Sequence, residues 1–560
     1  MRRFHPETGL LLVSAALFSV LLFKHISYPL LWQDEAETAM FATRVLAYGY
    51  PKVHGERNVL YEFGGNIAVG VDEQTDAYVG TTWGHFYFAV PGVLAARRVD
   101  DFYAKTARLR LPFALTGAAG IAVWVLALAP VFRDDRRRAQ LFGALFLLLS
   151  AGSVSLLLHL REARYYPLLV FLTGAVAAVH LRHRVFGGIG RTAYRVSLVA
   201  LLLLVFHTFF AAYFFLCGLL ALDALAASRL PHGSLRGWAR RAAADLAPLL
   251  VSAVLVAPAL VFFETFSIAR EFSAHLGLTV GGYLENVGFF LRHFGRYELL
   301  VPAVVCHAAA VGVDAAIRRR GQGHADGPER RVAGLLAAFV VGYAAVTCAN
   351  PLVYERYFLI LAPAVTGVFL LDAFLLVREV PRLLPASNPR RAAAATAAGI
   401  ALVAVASSGP RAAAVSGRLT EITQPFRGPL DHVIAYIAET FPRTEELVIA
   451  TNYANHTLMY YLGSQVIVGT NLNNIVRERA LVPDLVIPRR RWPRGLDELR
   501  GFLGRADYER LQLPARDTHF NNVPALSRSR STPDVHRYAP AEAEEGNRLV
   551  IFRRKVEVPR

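Results

Sequence analysis

The stretch "GHFYFAVPGVLAA", Gly84 to Ala96, decides how the chain is threaded. It is apolar, but its 13 residues fall short of the ~20 that a helix needs to cross the hydrocarbon at about 1.5 Å per residue. Counting it as a crossing would also put the cluster "FRDDRRR", 132 to 138, on the outer side, against the tendency of arginine to stay in cytoplasmic loops. The segment therefore reads as an interfacial helix lying on the outer surface.

Working outward from that choice, the apolar runs place spans near 9 to 31, 111 to 131, 139 to 160, 165 to 181, 196 to 207, 208 to 227, 246 to 263, 297 to 317, 332 to 349, 357 to 377 and 392 to 408, about eleven by the span-length rule. The pair at 196 to 227 is read as a tight hairpin with His207 near its outer tip. Five basic clusters, at 132 to 138, 181 to 195, 228 to 241, 318 to 331 and 378 to 391, then all face the cytoplasm. "MRRF" before the first run, with no A-x-A cleavage site after it, predicts a retained signal anchor with a cytoplasmic N-terminus. Composition agrees: 54% of the 560 residues are hydrophobic and 18% charged, the balance of a multi-pass membrane protein, here expected in the inner (plasma) membrane.

The net charge of +17 does not argue for nucleic acid, because the arginines are topology clusters between apolar runs. Cys217, Cys306 and Cys348 all lie inside apolar runs and read as small buried hydrophobes. After Gly409 the apolar runs shorten to the length of strands, which divides the chain into a membrane domain, 1 to 409, with a first outer loop at 32 to 110, and a small extracytoplasmic α/β domain, 410 to 560. In the latter, "HVIAYIAETF" and "NHTLMYYLG" read as helices, "ELVIAT", "QVIVGT" and "NRLVIFRR" as strands. The Arg- and Pro-rich region 483 to 540 has no clear periodicity and is expected to be loosely ordered. "NHT", 455 to 457, matches a glycosylation sequon but falls in an expected helix and is read as chance.

Three polar patches share one depth at the outer boundary. "WQDEAETAMFA" brings Asp34, Glu35 and Glu37; "HLREARYYPLL" brings His159, Arg161, Glu162, Arg164, Tyr165 and Tyr166; "NPLVYERYFLILAP" brings Glu355, Arg356 and Tyr357. Taken singly, each has a bland account: first-turn acids favoured by the helix dipole, snorkelling cations and an aromatic belt. Glu37 is assigned to that helix chemistry. Acids beside apolar segments are costly, however, and arginines on the outer side need a reason, which an anion supplies. A lipid-linked phosphate fits: its tail lies in the bilayer, its phosphate pairs with arginine, and an acid takes a proton from the incoming nucleophile.

"WQDEAETAMFA", "REARYYPLL" and "ERYFLILAP" resemble the GT-C membrane glycosyltransferases, in particular glycosyltransferase family 39 and its relatives, the protein O-mannosyltransferases and lipid A aminoarabinose transferases. The likeness covers roughly residues 1 to 410, and "ANHTLMYYLGSQVIVGT" resembles the outer domain of bacterial members. It implies a mainly α, polytopic helix bundle, a polyprenyl-phosphate sugar donor, inversion at the anomeric carbon, and a glycan, lipid or protein acceptor. Carried over by residue, it makes Asp34 the acid that orients or deprotonates the acceptor, with Glu35 beside it, and gives Arg164 and Arg356 the donor phosphate, with Arg161 nearby. The substrate-binding set then extends to Tyr165, Tyr166, Glu355 and Tyr357. Aminoarabinose-transferring members have an aspartate after the second motif's "AR", where this chain has Tyr165 and Tyr166, so Glu162 is the candidate replacement. Their first-loop lysine has no clear counterpart in "GERNVLYEFGGN", where Arg57 and Glu62 are the candidates.

Phosphate is already a good leaving group, so one base and one cationic clamp suffice, without a second carboxylic acid. No cofactor is demanded; a divalent ion on the acids is compatible with the chemistry, although no spaced His and Asp set announces it, and His85, His159 and His207 read as ordinary polar residues. No Gly-rich nucleotide fingerprint or P-loop occurs, which argues against a nucleotide-sugar donor. A lipid-linked-sugar transporter or flippase would also need a polar site in the membrane, but with ionisable or helix-breaking residues near midplane. A non-catalytic envelope assembly factor would not depend on the acids at all.

Overall fold

The computed structural model describes residues 5–555 apart from 61–69, 73, 229–234, 268–269, 271–276, 278, 321–326, 352, 384–387, 408–411, 413–418, 420–421, 469–479, 491–494 and 519–547. Eight of the described helices are long and apolar enough to cross a membrane. They are α1 (Pro6–Phe23), α4 (Phe102–Leu128, extended by a 3-10 turn to Phe132), α8 (Arg191–Thr208), α9 (Phe210–Ser228), α10 (Leu235–Phe262), and the helices Leu300–Arg319, Pro328–Cys348 and Leu361–Leu383. Side chains such as Val254 (72% exposed) and Val261 (79%) project from them, as on a lipid-facing surface. This is a multi-pass membrane protein.

Between these lie α2 (Gln33–Tyr48), α3 (Gly84–Ala96), α5 (Arg136–Ala151), α6 (Val154–Leu160) and α7 (Tyr166–Arg184). The short helix α3 is present with the bounds read from the sequence, and it packs on α2 and α4. The 196 to 227 run is two helices: Phe209 is extended (φ −160, ψ 99) and separates α8 from α9.

Two expected spans are altered by local chemistry. The first ends at Phe23, because His25 sits at φ 50 and Pro29 cannot continue a helix; Leu30, Leu31 and Trp32 instead run extended and are buried. The 139 to 160 run breaks at Gly152, where Ser153 caps α6 through Leu156 N–H (3.4 Å) and gives its hydroxyl to Glu298 (2.8 Å). A further helix, Val280–Tyr297, was not read from the sequence.

Small residues let α4 approach its neighbours. A Cβ on Gly117 would lie 2.6 Å from the Leu160 carbonyl oxygen, and one on Gly120 3.0 Å from Phe171 N. This close packing fixes the end of α6, and hence the turn 161–165, against α4.

The C-terminal region carries a five-stranded sheet: β3 (Val448–Thr451), β4 (Gln465–Val468), β5 (Leu485–Ile487), β6 (Tyr508–Arg516) and β7 (Arg548–Arg554), after a two-stranded ribbon, β1 (Val71–Asp72) and β2 (Ala77–Tyr78), in the first loop. The order is β4-β3-β5-β7-β6, with β3 parallel to both β4 and β5 and the pairs β5-β7 and β6-β7 antiparallel. Helices Pro429–Thr440 and Asn455–Leu462 match the two read from the sequence. The expectation of loose order from 483 is corrected where the structure describes it: β5, helix Leu496–Leu503 and β6 lie there. The strand β5 is only three residues long, and β6 alternates exposed charged residues with few buried ones, so composition hid both. Leu30, Phe41, Phe86 and Leu109 share one buried cluster with Ile434, Ile449 and Leu458, so the sheet region and the first loop are built on a common core.

Candidate active site

Asp34 and Glu35 are neighbours on the first turn of α2, yet their surroundings are opposite. Glu35 is fully buried and held at both oxygens by Arg110 of α4 (Oε1 to Nε 2.8 Å, Oε2 to Nη2 2.6 Å), and Oε1 also accepts from Ala163 N–H (2.9 Å). Arg110 spends its remaining Nη1 donors on the carbonyls of Ile26 (3.0 Å) and Pro29 (2.9 Å). This ion pair joins the loop 24–32, α2, α4 and the turn 161–165. Both Glu35 oxygens are thus engaged within this buried frame, whereas the sequence reading set the residue beside Asp34 among the catalytic acids.

Asp34 is 23% exposed at its side chain, and Oδ2 lies 3.6 Å from Arg356 Nη2 and 3.9 Å from Arg164 Nη2. Arg164 is anchored by Glu37 (3.0 Å) and the Asp34 carbonyl (3.2 Å). Glu37, read from the sequence as helix chemistry, thus aims an arginine. Arg356 is stacked among Trp32 (5.0 Å to the ring centre), Tyr354 (4.5 Å) and Tyr357 (5.8 Å). Among the described residues, its Nε and Nη1 and the Nε of Arg164 have no hydrogen-bond partner. Buried guanidinium donors left over after the internal pairs are made are what an incoming anion would use.

Of the other candidates, Tyr357 and Tyr165 lie against the cluster, the Tyr165 ring centre 5.7 Å from the Arg164 guanidinium. Glu162 bonds His159 Nδ1 (3.0 Å), whose Nε2 is 3.9 Å from Glu355 Oε1, so Glu162 and Glu355 belong to a buried acid–imidazole–acid chain that ties the turn 161–165 to the 3-10 turn Glu355–Phe358. Arg161 donates to the Lys24 carbonyl (2.9 Å) and Arg57 to the Glu445 carbonyl, contacts that pin loops. Tyr165 and Tyr166 are buried: Tyr165 stacks on Phe209 (5.0 Å, 6°) and Tyr166 packs on His159 (5.3 Å). Glu62 lies outside the described residues, as do the segments 469–479 and 519–547. His85 is fully buried; that burial, reinforced by Arg164, holds its imidazole well below its usual pKa and hence neutral.

Helix Asn455–Leu462 docks on the start of α2. Gln33 donates to Asn455 Oδ1 (2.8 Å), Leu31 N–H to the Tyr461 hydroxyl (3.1 Å) and the Thr457 hydroxyl to the Leu31 carbonyl (3.2 Å). Asn455 is 4% exposed, which removes the sequon as a surface acceptor. Just before this helix, Tyr453 packs with Tyr354 on Trp32, so the C-terminal region reaches the Asp34 cluster. No group of three or more His, Cys, Asp or Glu placed to hold a metal occurs among the described residues. The donors suited to an anion are the two guanidinium groups of Arg164 and Arg356, and the Asp34 carboxylate lies between them.

No protein-family model and no curated protein sequence matches the chain. Solved structures do. ArnT from Cupriavidus metallidurans, in the apo state, superposes with a TM-score of 0.51 at 15% identity, covering 97% of each chain. The same protein bound to undecaprenyl phosphate gives 0.52 at 16%, over 97% of this chain and 98% of that one. The archaeal oligosaccharyltransferase AglB from Archaeoglobus fulgidus, in complex with an inhibitory peptide and a dolichol-phosphate, gives 0.50 at 12%, over 86% and 69%. The chain has the GT-C fold.

Asp34, Arg164 and Arg356, read from three separate segments, lie together in the structure, whereas Glu37, Arg110, His159 and Tyr453 were not read as parts of the frame around them. An intramembrane-boundary arginine in "ARLRLPF" was the available signal for Arg110, since a charge there requires a partner. Nothing local marks Tyr453, which arrives from over 400 residues away in sequence.

Proposed function

We propose that the protein is a membrane glycosyltransferase that moves a sugar, hexose or pentose, from a polyprenyl-phosphate donor to a glycan, lipid or protein acceptor. The observation that carries this reading is the convergence of Arg164 and Arg356 on Asp34 with guanidinium donors left unused. Binding of undecaprenyl phosphate by ArnT and of a dolichol-phosphate by AglB, both of this fold, supports it.

In this mechanism the two arginines bind the phosphodiester oxygens and stabilise the charge that grows as the bond between the anomeric carbon and the phosphate oxygen breaks. The phosphate leaves with the electron pair. Asp34 accepts the proton of the acceptor's attacking group as that group forms its bond to the anomeric carbon from the opposite face, which inverts the centre. Glu35 and Arg110 hold Asp34 at the cleft, and the His159 chain keeps the two arginine-bearing turns together.

In this reading the reaction takes place on the outer face of the inner membrane. Arg110, which holds the site, lies in the first third of α4, and the basic cluster 132–138 follows the other end of that helix. A 27-residue helix spans about 40 Å at ~1.5 Å per residue, so site and cluster sit on opposite faces. Arginine-rich loops mark the cytoplasmic side, which puts the N-terminus there and the sheet region outside.

The test uses the full-length protein in lipid nanodiscs. Undecaprenyl phosphate should bind the wild type, compete with a sugar-bearing polyprenyl phosphate, and bind Arg164→Ala/Arg356→Ala at least ~100-fold more weakly. Equal binding by the double variant would falsify the phosphate assignment.

A further inference from the structure

We propose that Tyr453, Tyr354 and Tyr357, where the carboxyl edge of the C-terminal sheet meets the helix bundle, form a carbohydrate subsite, an aromatic wall on which a sugar ring stacks beside Asp34. The proposal rests on the transferase reading above.

The parallel strands β3, β4 and β5 end at Thr451, Val468 and Ile487, and Tyr453 lies in the loop that leaves the first of them. Crevices outside the carboxyl ends of parallel strands are where open α/β sheets bind ligands. This loop is fixed. The Thr451 hydroxyl lies 2.9 Å from the carbonyls of both Tyr453 and Ile487. Asn452 exchanges two hydrogen bonds with the Arg489 backbone (3.1 and 2.7 Å), and the Arg489 side chain is itself held by Asp517 (2.8 Å). Ala454 is kept at φ 68, a left-handed conformation that alanine rarely adopts and that persists only where surrounding bonds impose it. The outcome of those bonds is the placement of one side chain, Tyr453, against Trp32 and Tyr354.

Trp32 is 1% exposed and forms the base, whereas Tyr354, Tyr357 and Tyr453 are each partly exposed. Burial, and then the nearby Asp34 carboxylate, raises the Tyr453 phenol well above its usual pKa, so its hydroxyl stays a proton donor. Aromatic faces carry negative potential and attract the C–H edges of a sugar ring, while phenol hydroxyls and a carboxylate suit its hydroxyl groups. A prenyl chain would find the Asp34 and Arg356 charges a costly wall. The ring could be that of the donor or one carried by the acceptor.

The experiment compares wild type, Tyr453→Leu and Tyr453→Phe as full-length proteins in nanodiscs. The first arm measures affinity for undecaprenyl phosphate, undecaprenyl phosphoryl-mannose and undecaprenyl phosphoryl-arabinose. If the donor's sugar uses the wall, one sugar-bearing lipid binds the wild type about 5-fold more tightly than the bare phosphate. Tyr453→Leu cancels that gain without weakening the bare phosphate, and Tyr453→Phe retains it. The second arm records saturation-transfer NMR of methyl mannoside and methyl arabinoside against protein loaded with undecaprenyl phosphate; a signal lost in Tyr453→Leu and kept in Tyr453→Phe assigns the wall to the acceptor side. The subsite is overturned if the wild type binds undecaprenyl phosphate but shows neither gain nor signal, or if Tyr453→Leu alters neither. A wild type that binds no undecaprenyl phosphate overturns the transferase reading instead. Unchanged affinity for the bare phosphate also verifies that the leucine variant is folded.

Discussion

Two adjacent carboxylates are expected to fail in opposite ways when each is made an amide. Glu35→Gln strands Arg110, which is 1% exposed and has no other anion bonded to it in the described contacts of its guanidinium. Breaking a buried pair in this way costs about 3–5 kcal/mol, because the remaining charge stays out of water. The amide oxygen can still accept from Ala163 N–H, so the loss is that of the charge. Asp34→Asn removes a carboxylate that is 23% exposed and 3.6 Å from its nearer guanidinium, beyond hydrogen-bond length, and should cost no more than ~1 kcal/mol of stability. Its effect falls on the reaction: losing a positioned base lowers the rate by about 10²–10⁴, or roughly 3–5 kcal/mol in the barrier. Thermal unfolding can be followed with a thiol-reactive dye, since Cys217 is half-buried and Cys306 and Cys348 are buried, so they react on unfolding. Sugar transfer is measured separately on the same preparations. If Asp34→Asn melted early while keeping its activity, and Glu35→Gln did the reverse, the division of labour between the two acids would be wrong.

Arg356→Ala should weaken undecaprenyl phosphate binding by about 10- to 100-fold while changing the acceptor's KM far less; a purely acceptor-side effect would remove Arg356 from the phosphate clamp. Gly117→Val places new carbon where even a Cβ would be 2.6 Å from the Leu160 carbonyl oxygen, and should cost about 1–3 kcal/mol of stability and reduce transfer by displacing the turn 161–165. Equal stability and transfer would mean that α4 and α6 do not need this contact. Burial lowers the pKa of His456, whose ring lies between the Leu60 carbonyl (2.5 Å) and the Gln33 amide (2.8 Å) as a neutral tautomer requires. The unfolded chain then binds more protons below the ordinary value of 6.5, so stability is full above that pH and falls as the pH drops through and below it. The difference in melting temperature between wild type and His456→Gln should therefore depend on pH below 6.5 and level off above it; a difference independent of pH would refute this.

The sequence by itself determined the class of the protein and offered the residues that the structure brings together around Asp34. Span length and the arginine bias are properties of single segments meeting a bilayer, so they can be read without tertiary contacts, and the bounds of α3 and the division of 196 to 227 into two helices follow them. The strands β3, β4 and β7 were legible because their apolar runs are bounded by turn residues, whereas β5 and β6 were hidden by brevity and by the arginines on the exposed face.

Only the tertiary structure decided what each charge is for. "DEAE" offers three acids at one helix end, and the dipole favours them all alike. Their surroundings part because α4 delivers Arg110 to Glu35, the turn 161–165 delivers Arg164 to Glu37, and, among the described residues, the Asp34 carboxylate has only two arginines near it, at 3.6 and 3.9 Å. A side chain's charge is local, but its availability depends on which partners arrive from distant segments, and that is set by packing. The same holds for Tyr453, whose place beside Trp32 is fixed by a sheet formed more than 400 residues later in the chain.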